Sequence, residues 1–187
     1  MTTLHATLAQ DKRLALLGVV GFAVALTAAS QVAMSIPGTP VPITLQPFVV
    51  VLAGMMLGPV AGASSMLLYL AVGAMGVPVF APMGAPGIAR FFGPTGGYLI
   101  AYPFSAFVAG AFAQRMPSLL GRWVAATLGI AVLFVGGLTQ LALLSGGMRQ
   151  AIVLGLTPFA LLDIVKAFVA ALIAAPKAPR EPRVRRT

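Results

Sequence analysis

The chain has no cysteine, one histidine and only three acidic residues in 187 positions. Without thiols there is no disulfide framework, no thiol nucleophile and no zinc cluster. The lone His5 sits in a polar N-terminal stretch, reads as a solvated tail residue, and cannot build a metal site by itself. The apolar segments hold no histidine, no second carboxylate and no evident activated serine. An intramembrane enzyme therefore lacks its acid–base and nucleophilic parts. No G-x-x-x-x-G-K-[ST] loop occurs either, so the chain does not bind and hydrolyse ATP by that route. No resident cofactor and no metal is expected.

What fills the sequence instead is apolar: 59% hydrophobic and 8% charged residues, with a mean hydropathy of +1.01. A soluble domain of this size cannot hide so much apolar surface, so the chain reads as an integral membrane protein. The runs are continuously apolar rather than alternating, which points to helices and not to a membrane barrel. Six spans are expected: Leu14 to Ile36, Ile43 to Leu57, Val60 to about Gly76, Thr95 to Gln114, Trp123 to Leu144, and Pro158 to Ala175. The first run is too long for the hydrophobic region of a cleaved signal peptide, although Ala28-Ala29-Ser30 resembles a cleavage site. The spans form one domain, residues 1–176, with a short tail at 1–13. A basic, Pro-rich tail follows at 177–187.

The net charge of +9 suggests nucleic acid at first sight, but its placement argues otherwise. Lys12, Arg13, Arg115, Arg122 and the tail cations Lys177, Arg180, Arg183, Arg185 and Arg186 fall on one side of a six-span topology. No aromatic residues interleave them, as single-strand binding would want. Such clusters set topology and attract anionic lipid of the bilayer, and they put both termini in the cytoplasm. Arg90 and Arg149 fall on the outer side.

Asp163 and Lys166 are the only acid and the only lysine inside an apolar segment. Ionisable groups within a bilayer cost about 2.5–3.5 kcal/mol on insertion scales and usually mark a ligand or ion pathway, or a pair locking two helices together. Thr157 is expected to cap the sixth helix, with Pro158 as its first residue. Three residues apart, Asp163 and Lys166 share one face. In the outer half they meet Arg90, the Thr44–Gln46 entrance, and Tyr98 in Gly93-Pro94-Thr95-Gly96-Gly97-Tyr98, where glycines admit a neighbour or a ligand. Phe80 can line the walls or plug the loop. A pocket with two cations, one acid and apolar walls suits a small organic anion with a hydrophobic body. An ion-coupled secondary transporter or a solitary facilitator would use the same groups. On the first helix Gly21, Ala25, Ala29 and Ala33 recur every fourth residue, a stripe that fits internal packing or docking onto a partner.

Four stretches occur in order: Val41-Pro42-Ile43-Thr44-Leu45-Gln46, Gly76-Val77-Pro78-Val79-Phe80-Ala81, Gly93-Pro94-Thr95-Gly96-Gly97-Tyr98, and Pro158-Phe159 followed by Asp163-x-x-Lys166. Together they resemble the BioY family, the biotin-binding S components of energy-coupling-factor (ECF) vitamin transporters. The resemblance covers about residues 14–175 and implies a compact six-helix membrane bundle in a bacterial cell membrane, with biotin held near the outer face. By that resemblance Arg90 and Lys166 serve the valerate carboxylate or its surroundings, and Asp163 the ureido ring. Pro82-Met83 departs from the Gly- or Asn-rich sequence usual in the family, so residues 82–87 receive no ligand role. The resemblance also gives Ala25 and Ala29 to docking on a transmembrane coupling protein driven by two ATPases. Transport without those partners, or self-association of the chain, stays open.

Overall fold

The computed structural model describes residues 12–175; the N-terminal stretch with His5 and the basic tail lie outside the described residues. Among the described residues seven α-helices follow one another: α1 Lys12–Gln31, α2 Gln46–Leu57, α3 Pro59–Ala74, α4 Gly96–Arg115, α5 Leu119–Ser145, α6 Met148–Gly155 and α7 Ala160–Ala174. Two strands, β1 Ala33–Met34 and β2 Ile43–Thr44, and a 3-10 segment, Gly87–Phe92, complete the elements.

All six expected apolar segments are helical, with shifted limits. Helices α1, α4 and α5 are long and apolar enough to cross a membrane, and α6 with α7 forms a fourth candidate bent by 56°. With 12 and 16 residues, α2 and α3 reach about 18 and 24 Å, short of a hydrocarbon core of about 30 Å. The expected first span continued to Ile36. Instead, α1 stops at Gln31, and Ala33 and Met34 pair antiparallel with Thr44 and Ile43. This small ladder closes the Pro-rich loop and satisfies backbone groups that three prolines at 37, 40 and 42 keep out of helix. Similarly, α5 begins four residues earlier than Trp123, because Ser118 caps it by accepting from the Gly121 amide at 3.0 Å.

The expected start of the last helix needs a larger correction. Thr157 does not cap α7, and Pro158 is not its first residue. The Thr157 hydroxyl donates backward to the Ile152 carbonyl at 3.1 Å, and the Thr157 amide does the same at 3.0 Å. Carbonyls left over at the end of α6 win this hydroxyl. Helix α7 then starts at Ala160, which puts Asp163 in its first turn, where the helix dipole favours a carboxylate.

The short α2 is the centre of the bundle and packs on α1, α3, α4, α5 and α7. Val50, Val51 and Ala53 on it have no exposed surface. Close approach depends on glycine. A Cβ on Gly54 would collide with the Ala106 carbonyl of α4, and one on Gly110 would stand 2.6 Å from the Gly54 carbonyl. Replacing Gly54 by Val should therefore cost roughly 1–3 kcal/mol by overpacking and lower the unfolding temperature in detergent. Gly21→Ala, at a site with nothing within 4 Å, should leave it unchanged.

Candidate functional site

Asp163 and Lys166 face inward from α7, and their side chains meet with Nζ 2.7 Å from Oδ1. The ammonium also donates to the Thr44 carbonyl at 2.8 Å. One lysine thus ties α7 to β2. The Thr44 hydroxyl accepts from the Gln46 amide and donates to Gln46 Oε1, both at 3.2 Å. Gln46 passes the contact on, donating from Nε2 to the Tyr69 hydroxyl at 2.9 Å. Tyr69 in turn donates to the Val79 carbonyl at 3.1 Å. The Val79 carbonyl takes a second bond from Ser30 on α1, at 2.6 Å. A single buried polar chain therefore runs from α7 through β2, α2 and α3 to the loop after α3 and to α1.

That loop presents Phe80 to the interior. Its ring stands edge-on to Tyr69 and to Phe91, with centroids 5.4 and 5.8 Å apart. Arg90 comes from the 3-10 segment and is buried. Its guanidinium donates to the carbonyls of Ala81 and Met83. This is the role of the 81–83 stretch: it accepts from the arginine. Two neutral carbonyls satisfy donors without cancelling charge, so the site keeps a cation there. Burial lowers the guanidinium from its ordinary value, and Tyr69 and Tyr102 nearby offset part of that; an arginine stays charged regardless.

Between these groups lies a cavity with about 680 Å³ of space free of atoms, its mouth included. Thr44, Gln46, Phe80, Arg90, Tyr98, Asp163 and Lys166, the residues the sequence suggested for a pocket, all line it. Two cations against one carboxylate leave a net positive interior with walls such as Leu99, Leu133, Phe134 and Phe159. Tyr98 contributes its ring but spends its hydroxyl on the Gly155 carbonyl at 2.8 Å, anchoring α4 to the end of α6.

These features have relatives. A family model described as "BioY family" matches residues 3–183. The chain belongs to the BioY family. Among its relatives, the "Probable biotin transporter BioY" of Pyrococcus horikoshii is 44% identical over 152 residues, covering 81% of this chain and 88% of the relative. The "Biotin transporter BioY" of Thermotoga maritima is 39% identical over 141 residues, covering 75% and 83%. A solved structure, the crystal structure of the S-component for biotin from an ECF-type ABC transporter, superposes with a TM-score of 0.80 at 27% identity, covering 87% of this chain and 89% of that one. The chain is thus a multi-pass membrane protein with the helical S-component fold, and its BioY-family relatives are named as transporters, not enzymes.

Sequence reasoning passed over Tyr102. It lines the cavity and is buried, and its hydroxyl has no hydrogen-bond partner among the described residues. Its signal was available: Tyr98 and Tyr102 lie four apart, on one helix face. Arg149 is exposed and takes no part in the cavity. On α1 the stripe divides. Ala29 is buried in the core, whereas Gly21 and Ala25 are exposed, together with Ala28. The fourfold spacing drifts around a 3.6-residue helix, which carries Ala29 inward.

The ion pair makes a stability prediction. Lys166→Met strands Asp163 and frees the Thr44 carbonyl, which should destabilise the protein by about 3–5 kcal/mol. Adding Asp163→Asn should recover part of the loss. Thermal unfolding of the purified single and double variants in detergent checks both.

Proposed function

We propose that this chain is the biotin-specific S component of an ECF transporter, which captures biotin at the outer face and releases it inward. The observation that carries the reading is the convergence of Asp163, Lys166 and Arg90 on one apolar-walled cavity in a chain of the BioY family. Biotin is an anion with an aliphatic tail and a flat ureido ring, and each part has a counterpart here. Asp163 uses Oδ1 for Lys166, which leaves Oδ2 to accept from a ureido N–H. Arg90 or Lys166 takes the carboxylate. The rings of Phe80 and Phe134 and the side chain of Leu99 enclose the body, and Tyr102 offers a hydroxyl.

The positive-inside distribution supports cytoplasmic termini, in a chain that on this reading sits in the bacterial inner membrane. Energy comes from partners: a transmembrane coupling protein docks on the exposed small-residue face of α1 at Gly21, Ala25 and Ala28, and two ATPases drive it. ATP is theirs alone. An ion-coupled carrier fits less well. Among the described residues the buried charged side chains are Arg90, Arg122 and Asp163, and of these only a carboxylate can carry a proton at ordinary pH.

Purified protein in nanodiscs should bind biotin saturably. Asp163→Asn should weaken binding at least about tenfold, by leaving Lys166 without its partner charge. Tyr102→Phe should weaken it about 3–10-fold, the worth of one hydrogen bond. Absence of saturable binding by the wild type overturns the reading, and titration calorimetry measures all three. Ala25→Trp should abolish co-purification with the coupling protein while leaving biotin affinity unchanged, because its side chain faces outward.

A further inference from the structure

One polar group in the outer half has no place in the account so far. Gln140 lies on α5, in a stretch that is otherwise apolar apart from Thr139. A primary amide in such a setting is costly unless its hydrogen bonds are made. Gln140 makes them with a single atom: Nε2 donates to the Phe91 carbonyl at 2.7 Å and to the Gly93 carbonyl at 2.8 Å. Both carbonyls end the 3-10 segment that carries Arg90, and the Gly93 amide bonds back to the Arg90 carbonyl at 3.2 Å.

The surroundings are shaped for this side chain. A Cβ on Gly96 would stand 2.6 Å from Gln140 Nε2, and one on Gly97 would stand 2.8 Å from Gln140 Cβ. One turn back, a Cβ on Gly136 would press on Ala101 at 2.7 Å. The glycines of the Gly96-Gly97 pair therefore admit α5 and its amide, which decides between the neighbour and the ligand as the reason for them. The segment is gripped twice: from one side by its own arginine on the carbonyls of Ala81 and Met83, from the other by Gln140. Arg90 is consequently fixed in the pocket wall by a residue that does not itself line the pocket.

We propose that Gln140 is a positioning residue, which holds the Arg90 segment against the pocket and thereby sets how long the anionic ligand stays. The inference rests on the biotin reading for its ligand, but its mechanical part can be tested without biotin. Arg90 is buried and Arg149 is exposed, so trypsin acting on the full chain in detergent should cut after Arg149 and spare Arg90. Gln140→Met keeps the length and the apolar packing and removes both donors. It should raise cleavage after Arg90, relative to Arg149, at least about fivefold, and weaken biotin binding at least about tenfold, mainly by faster release.

Gln140→Glu, which keeps the shape but lacks the amide protons, should do the same, and it serves if the Met variant does not fold. In an Arg90→Lys background the loss caused by Gln140→Met should shrink to less than about threefold, because residues acting through one another are not additive. Unchanged cleavage at Arg90, unchanged release of biotin, or an undiminished loss in the Arg90→Lys background each overturns the proposal. Failure of the wild type to bind biotin sinks the biotin reading instead, and leaves the proteolysis result standing.

Discussion

The architecture of the outer half depends on where one ammonium group goes. Lys166 is half-buried on α7 with two partners, the Asp163 carboxylate at 2.7 Å and the Thr44 carbonyl at 2.8 Å. A lone cation in that setting would be expelled or would carry a large desolvation cost. Paired in this way it fixes the register of α7 against β2, and the chain of bonds through Gln46, Tyr69 and Val79 extends the constraint across the bundle. The cavity is what remains between elements held by these bonds. Its positive balance follows, since the single acid is already committed to one of the two cations.

Polar economy explains why the site has a defined shape although most of its wall is oily. Apolar contacts alone slide easily, because lipid competes with them on equal terms. Ser30, Tyr69, Gln140 and Arg90 instead bind carbonyls that the irregular loops cannot satisfy themselves. Loops that would otherwise be costly near the membrane are thereby packed into protein. The same bonds leave few polar groups free, which makes the Tyr102 hydroxyl and the acceptor Asp163 Oδ2 conspicuous.

Much of this was legible in the sequence, and for physical reasons. Continuous apolar runs announced the helices, and a lone acid and lysine three apart announced the heart of the pocket, because charge in a membrane is seldom idle. The remainder depended on tertiary bonding. Whether Thr157 caps the following helix or the preceding one turns on which carbonyls lie within reach, and composition is silent on that. The β1–β2 ladder is two residues long on each strand, too short for a period. Which members of the fourfold small-residue stripe face the core was not legible, because a helix turns in 3.6. Gln140 escaped notice because its partners lie 49 and 47 residues away in sequence, and Tyr102 because its hydroxyl has no partner among the described residues.

If a net positive cup gives the family its ligand, the carboxylate must matter more than the ring system's bulk. The direct test is a comparison of biotin with its methyl ester on the wild-type protein, by competition in nanodiscs at moderate salt. The account predicts that the ester, alike in shape but uncharged, binds at least about tenfold more weakly, the worth of one charge-assisted contact. Equal affinity for acid and ester would contradict it, and would mean that Arg90 and Lys166 serve the protein's own carbonyls and not the ligand.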